Sequence, residues 1–239
     1  MKHFVFLKIF FLLSLGVVAQ DFVAPTKPQT PRKFQISASF SPNVAFRTLK
    51  AVEEINPIVN LKTDRDEIET PRFGYQCGIR FGYYFIKNVG LETGVLYARK
   101  GYQSIWQEDS DNSINEWRYR QTFECIDFPL LINVRSNHRK VRFVANVGII
   151  FNHLVRDNEV SEVRYTNETK GKFIYPSQGA YKSFNLSGTF GFGLDVPVTS
   201  RLGFQIKPNF RYGFLKIIEA PLTGYVWDAG LELRLYVEM

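Results

Sequence analysis

Long apolar runs are what this sequence most conspicuously lacks: after the first twenty residues nothing approaches eighteen consecutive apolar positions, so no helix of the chain is suited to crossing a bilayer. Cysteine and histidine are nearly absent too, with 2 and 3 in 239 residues. That scarcity excludes a disulfide framework and any metal site built on clustered Cys and His ligands. No glycine-rich phosphate loop or dinucleotide fingerprint occurs, because Gly191 and Gly193 fall inside a strand pattern. The formal charge of +7 would suggest nucleic acid as a partner in a cytosolic protein. The N-terminus argues for export instead, so we expect no nucleic-acid role.

That N-terminus carries Lys2 and Lys8, an apolar core from Ile9 to Val18, and small or aliphatic residues at Val17-Val18-Ala19. This is the layout of a secretory signal, with cleavage expected after Ala19. No cysteine follows the cut, which argues against a lipid anchor. The chain is therefore expected to divide into a signal peptide (1–19), a short N-terminal segment (20–33) and one all-β domain (34–239).

What the chain has in abundance is alternation. Phe184, Leu186, Gly188, Phe190, Phe192, Leu194 and Val196 occupy one phase, and Asn185, Ser187, Thr189, Gly191, Gly193 and Asp195 the other. A period of two over that length predicts a strand. The pattern recurs from Leu202 to Phe214, Tyr225 to Val237, Val141 to Asn152 and Phe73 to Ile86, with weaker copies beginning at Phe34, Val89 and Trp117. Eight strands result, each long enough to span a bilayer on a tilt.

A soluble sandwich also alternates, but its polar phase should be rich in Lys, Glu and Thr. Here that phase is dominated by glycine and by charges of both signs, while the apolar phase is rich in bulky aromatics. Small residues and opposed charges suit a crowded lumen, and a band of Phe, Leu, Ile and Val suits lipid. The connections alternate long (47–71, 104–115, 157–181, 215–224) and short (87–88, 136–140, 199–200), which places both termini at the short-turn end, expected to be periplasmic. The expected fold is an eight-stranded antiparallel transmembrane β-barrel of the bacterial outer membrane. Cys77 falls on the lipid phase and Cys125 on the lumen phase, so two free thiols are expected.

The stretch Cys125-Ile126-Asp127-Phe128-Pro129-Leu130-Leu131-Ile132, with Gly90-Leu91-Glu92-Thr93-Gly94-Val95-Leu96-Tyr97 and Gly191-Phe192-Gly193-Leu194-Asp195, resembles the PorT-like outer-membrane β-barrel family. The resemblance implies architecture and compartment. It also implies a candidate role as an accessory component of a protein-exporting secretion system, with envelope or secretion-system proteins as partners.

The lumen phase offers Glu92, Asp127, Asp195, Asp228 and Glu232 alongside Arg80, Arg142, Lys207, Arg211 and Arg234. A buried charge without a partner is costly, so mixed signs predict a polar network that plugs the lumen and conducts nothing. His153 falls on the lipid phase, where a lipid-A-modifying enzyme would place a catalytic histidine, but no serine stands two residues away on its strand. The expectation is a non-enzymatic barrel with no catalytic, metal or cofactor site, whose long loops bind a partner. Basic residues where strands reach the long-loop end, namely Arg47, Arg72, Arg99, Lys100, Arg118, Arg120, Arg156, Lys182 and Lys216, form a candidate collar for outer-membrane lipid and lipopolysaccharide.

Overall fold

The computed structural model describes residues 33–51, 56–109, 114–137, 140–176, 181–218 and 222–239. The expected signal and all of the following segment but Lys33 lie outside them, as do Glu53, Glu54, Asp111 and His138.

Among the described residues, ten strands form one antiparallel sheet: β1 (Phe34–Ala51), β2 (Glu69–Ile86), β3 (Val89–Ser104), β4 (Gln107–Glu108), β5 (Ile114–Arg135), β6 (Arg142–Tyr165), β7 (Lys170–Pro176), β8 (Phe184–Pro197), β9 (Leu202–Gly213) and β10 (Leu222–Glu238). Among the same residues one helix, α1 (Asn56–Ile68), lies between β1 and β2 in the chain. Pairing of β5 with β6 closes eight of the strands into a ring, β1-β2-β3-β5-β6-β8-β9-β10, as the alternation predicts. The ends of the chain meet at the seam, where the Phe34 and Met239 backbones exchange hydrogen bonds of 3.3 and 2.8 Å.

Burial is inside out. Along β1 the burial pattern alternates through 18 residues, and the residues turned inward are Gln35, Ser37, Ser39, Ser41 and Asn43. Those turned outward and exposed include Phe73, Ile79, Phe81, Val95, Phe143 and Phe192. Water would not tolerate that surface on a monomer, but lipid does. From Phe73 to Phe85 the outward band of β2 is about 40 Å of strand, or roughly 30 Å of height at the usual tilt, which matches the hydrocarbon core. Aromatic contacts mark both rims: Phe34 on Tyr83 (5.1 Å) at the short-turn end, and Trp227 between Phe46 and Phe210 (6.1 Å each) toward the other.

The short connections are Lys87 and Asn88, the interval between Arg135 and Arg142, and 198–201. The opposite end departs from the loop expectation. Residues 47–51 and 69–71 continue strands, α1 fills much of the interval between them, and the 157–181 connection is mostly sheet. There β6 runs 24 residues, against 14 for β8 and 12 for β9. Beyond His153, its last residue paired with β8, β6 continues for about twelve residues, roughly 40 Å of strand. With β4, β5 and β7 it makes a four-stranded extension.

Candidate functional site

The lumen is filled in two layers. Nearer the short turns, Arg80 of β2, Glu92 of β3, Lys207 of β9 and Glu232 and Arg234 of β10 all turn inward, each at most 4% exposed. Arg80 donates to Glu92 (2.9 Å) and Glu232 (3.0 Å). Arg234 grips Glu92 through Nη2 (2.8 Å) and Glu232 through Nη2 (2.6 Å), and Lys207 reaches Glu232 at 3.2 Å. Asn133 donates to the second oxygen of Glu92 (2.9 Å). Beside this cluster Asp195 accepts from Tyr236 (2.7 Å) and pairs with Arg142 (2.6 Å). Higher up, Asp127 accepts from Gln76 (2.8 Å) and Asn152 (2.7 Å), with Arg211 bridging toward Asp228 (2.8 Å). All ten lumen residues singled out in the sequence sit in this interior, and each carboxylate has a cation within ion-pair distance.

Above the ions the interior becomes apolar, which the sequence reading missed. Ala98, Tyr102, Phe123, Cys125 and Val226 form a buried cluster joined by Leu154, Tyr181 and Ile217. Tyr181 packs edge-on against Phe123 (4.8 Å) and its hydroxyl lies 3.3 Å from that of Tyr102. A cavity of about 30 Å³ lies beside Lys100, Cys125 and Asn152. The inward phase of Tyr102 and Phe123 was the signal for this layer. Both thiols are free, Cys77 on the outer side and Cys125 within.

At the mouth Glu69 accepts from Arg47, from Arg65 of α1 (2.9 Å) and from the Tyr119 hydroxyl. A cavity of about 140 Å³ lies under α1, lined by Leu61, Arg65, Arg47, Tyr102 and Tyr181. Asn56 followed by Pro57 was the sequence sign of this helix start.

The basic collar requires correction. Because β1 and β3 extend to Ala51 and Ser104, alternation still governs Arg47 and Lys100, and both turn inward: Arg47 is buried against Glu69, and Lys100 lines the inner cavity with Cys125 and Asn152. Neither belongs to an outer rim. Lys182 and Lys216 lie at the mouth, where the Lys182 amide donates to Ile217 (2.8 Å). Arg72, Arg99, Arg118, Arg120 and Arg156 remain on the outer side, confined to β2, β3, β5 and β6. There Glu162 is held by Arg120 and by Arg118 (2.7 Å), and hydrogen bonding from Arg120 keeps its carboxyl down at about 2. His153 stands outward, opposite Ile126 and Phe184.

The sequence model of the outer membrane protein β-barrel domain family matches residues 18–219. Among solved structures, Neisserial surface protein A is similar at 12% identity, covering 86% of this chain and 97% of that one, with a TM-score of 0.43. Outer membrane protein OprG from Pseudomonas aeruginosa gives 12%, 87%, 97% and 0.45. Ail, the attachment invasion locus protein of Yersinia pestis, solved with the heparin analogue sucrose octasulfate, gives 12%, 83%, 98% and 0.31. No curated protein matches the chain in sequence.

Proposed function

The chain belongs to the outer membrane protein β-barrel domain family of the bacterial outer membrane, and from that premise we propose that it is a non-enzymatic anchor whose working surface is the sheet rising from its long-loop end. In this reading the signal is removed, the termini and short turns face the periplasm, and α1 and the β4–β7 extension face outward. The filled lumen then contributes rigidity rather than passage. Its carboxylates are committed to ion pairs, which favours a structural role over acid–base chemistry.

The observation that carries the reading is the build of the extension. A connector has no need of ordered sheet, yet here strands are continued far beyond the barrel and dressed with side chains common at binding hot spots. Arg118 and Arg164 both lie over the Trp106 ring (4.4 and 4.1 Å), and Trp117 stacks on Tyr119 (6.2 Å). On β7, which pairs only with β6 among the described residues, Phe173, Ile174 and Tyr175 are exposed. An unpaired edge with apolar side chains suits a partner protein that adds a strand.

The test is a photo-crosslinking residue at Tyr175 in cells, followed by affinity purification from solubilised membranes. We expect one dominant cross-linked protein, lost when Ile174 and Tyr175 are both replaced by Lys in a chain that still folds. Recovery of lipid alone would overturn the reading. The PorT-like motif from Cys125 to Ile132 favours, as a second reading, an accessory of a secretion system. Recovery of export subunits would support it.

A further inference from the structure

Where β2 leaves the apolar band its pairing with β3 slips. Pro71 opposes Tyr102 and Tyr75 opposes Arg99, so one more residue lies between on β2 than on β3. Such a bulge re-aims a side chain. Here it sends the Arg72 guanidinium across β3, where Gly101 has no side chain to block it, to donate to Thr122 Oγ1 (2.5 Å) and the Gln121 carbonyl (3.3 Å) of β5. The two bonds fix the head group without neutralising it.

A cleft of about 180 Å³ opens beside it, lined by Arg72, Phe73, Tyr75, Arg99 and Thr122, with Lys100 behind. Arg99 and Arg120 stand close enough to repel Arg72. Of the nearby carboxylates, Glu162 holds Arg118 and Arg120, and Glu124 stands opposite Arg99 on one side and Arg156 on the other. Among the described residues, no ion pair joins Arg72 or Arg99 to any carboxylate. With Arg164 and Glu116, which pair with each other, six outward arginines (72, 99, 118, 120, 156 and 164) face three outward glutamates (116, 124 and 162) on these strands.

The cleft sits directly above an aromatic and apolar wall. Tyr75 packs between Phe40 (6.3 Å) and Tyr97 (6.1 Å), and Phe73 projects from the rim, 87% exposed. An ionic pocket over a lipid-facing wall selects a molecule with an anionic head and acyl chains. Arginine presents paired donors that fit phosphate. We propose that this cleft binds a phosphate of an outer-leaflet glycolipid, with Arg72 and Arg99 on the phosphate and the acyl chains along Tyr75, Tyr97 and Phe40. The site is separate from the β4–β7 surface and does not depend on that surface having a partner.

The experiment uses the full chain in detergent micelles, titrated with phosphorylated lipid A and with the same lipid A after phosphatase treatment, with bound lipid counted by native mass spectrometry. The wild-type chain should bind the phosphorylated form at least about tenfold more tightly, the equivalent of one charged hydrogen bond. Arg72→Gln with Arg99→Gln should lose that preference while retaining its folded mobility on gels, and Lys172→Gln on β7 should keep it. Equal binding of the two lipids by the wild-type chain would overturn the proposal without relying on any variant. So would an unchanged preference in the double variant. Full displacement of the lipid by millimolar inorganic phosphate would overturn the lipid assignment and leave a simple anion site.

Discussion

Arg80 and Glu232, 152 residues apart in the chain, meet at 3.0 Å inside the barrel. The contact joins β2 to β10 across β1 and exists only because β1 pairs with both strands. Glu232 takes Arg80, Arg234 and Lys207 at once, so removing its charge leaves these buried cations facing Glu92 alone, and Glu232→Gln should destabilise the barrel by about 3–5 kcal/mol. Arg80→Met leaves Glu92 and Glu232 each paired with Arg234 and should cost clearly less. Urea unfolding in lipid vesicles measures both; a loss below about 1 kcal/mol for Glu232→Gln would show that this anion is dispensable.

The chain should not conduct. An eight-stranded ring leaves an interior only wide enough for side chains, and here both an ionic layer and an aromatic layer cross it. Recordings in planar bilayers should show no steady steps of porin size. Their appearance would contradict the packing of Arg80, Arg234 and Phe123.

Glu162 lies on the extension, outside the membrane-spanning segments. Hydrogen bonding from Arg120, then from Arg118, lowers its carboxyl from 4.5 to about 2. A depressed folded value means that the contribution to stability is fully present above the unfolded value and is lost as pH falls through the folded one. The ion pair's contribution to the pairing of β5 with β6 should therefore be complete above 4.5 and decline steadily as pH falls to about 2. Carbon-13 NMR of the labelled carboxyl reads this directly, and a midpoint near 4.5 would rule out the ion pair.

None of the residues of α1 is buried, and Arg65 holds its C-terminal end to Glu69. Glu69→Gln should therefore free the helix while leaving the barrel intact. Trypsin should cut after Lys62 and Arg65 about tenfold faster, the equivalent of losing a charged hydrogen bond. An unchanged cleavage rate would mean that other contacts secure α1.

Alternation is a local property, and whatever depended on it could be read from the chain. Phe81 outward and Arg80 inward, the short Lys87-Asn88 turn and the order of long and short connections all follow from a period of two and from turn chemistry. Thus the number of strands in the ring, the lipid face and the charges of the ionic layer are determined by the sequence. The helix was not legible in this way: residues 56–68 carry no apolar stripe, and the contacts that hold them come from Glu69 and the barrel mouth. Nor was the outward turn of Arg72, because a bulge adds one residue to one strand and shifts its phase only relative to a partner. Arg47 and Lys100 were assigned to a rim because strand length, which decides whether alternation still applies, is set by pairing. The tertiary structure alone decided which charges meet, since the contact of Arg80 with Glu232 depends on β1 pairing with both β2 and β10, and that of Arg142 with Asp195 on the register of β6 against β8. The sequence supplies residues to each face; the ring brings those faces together.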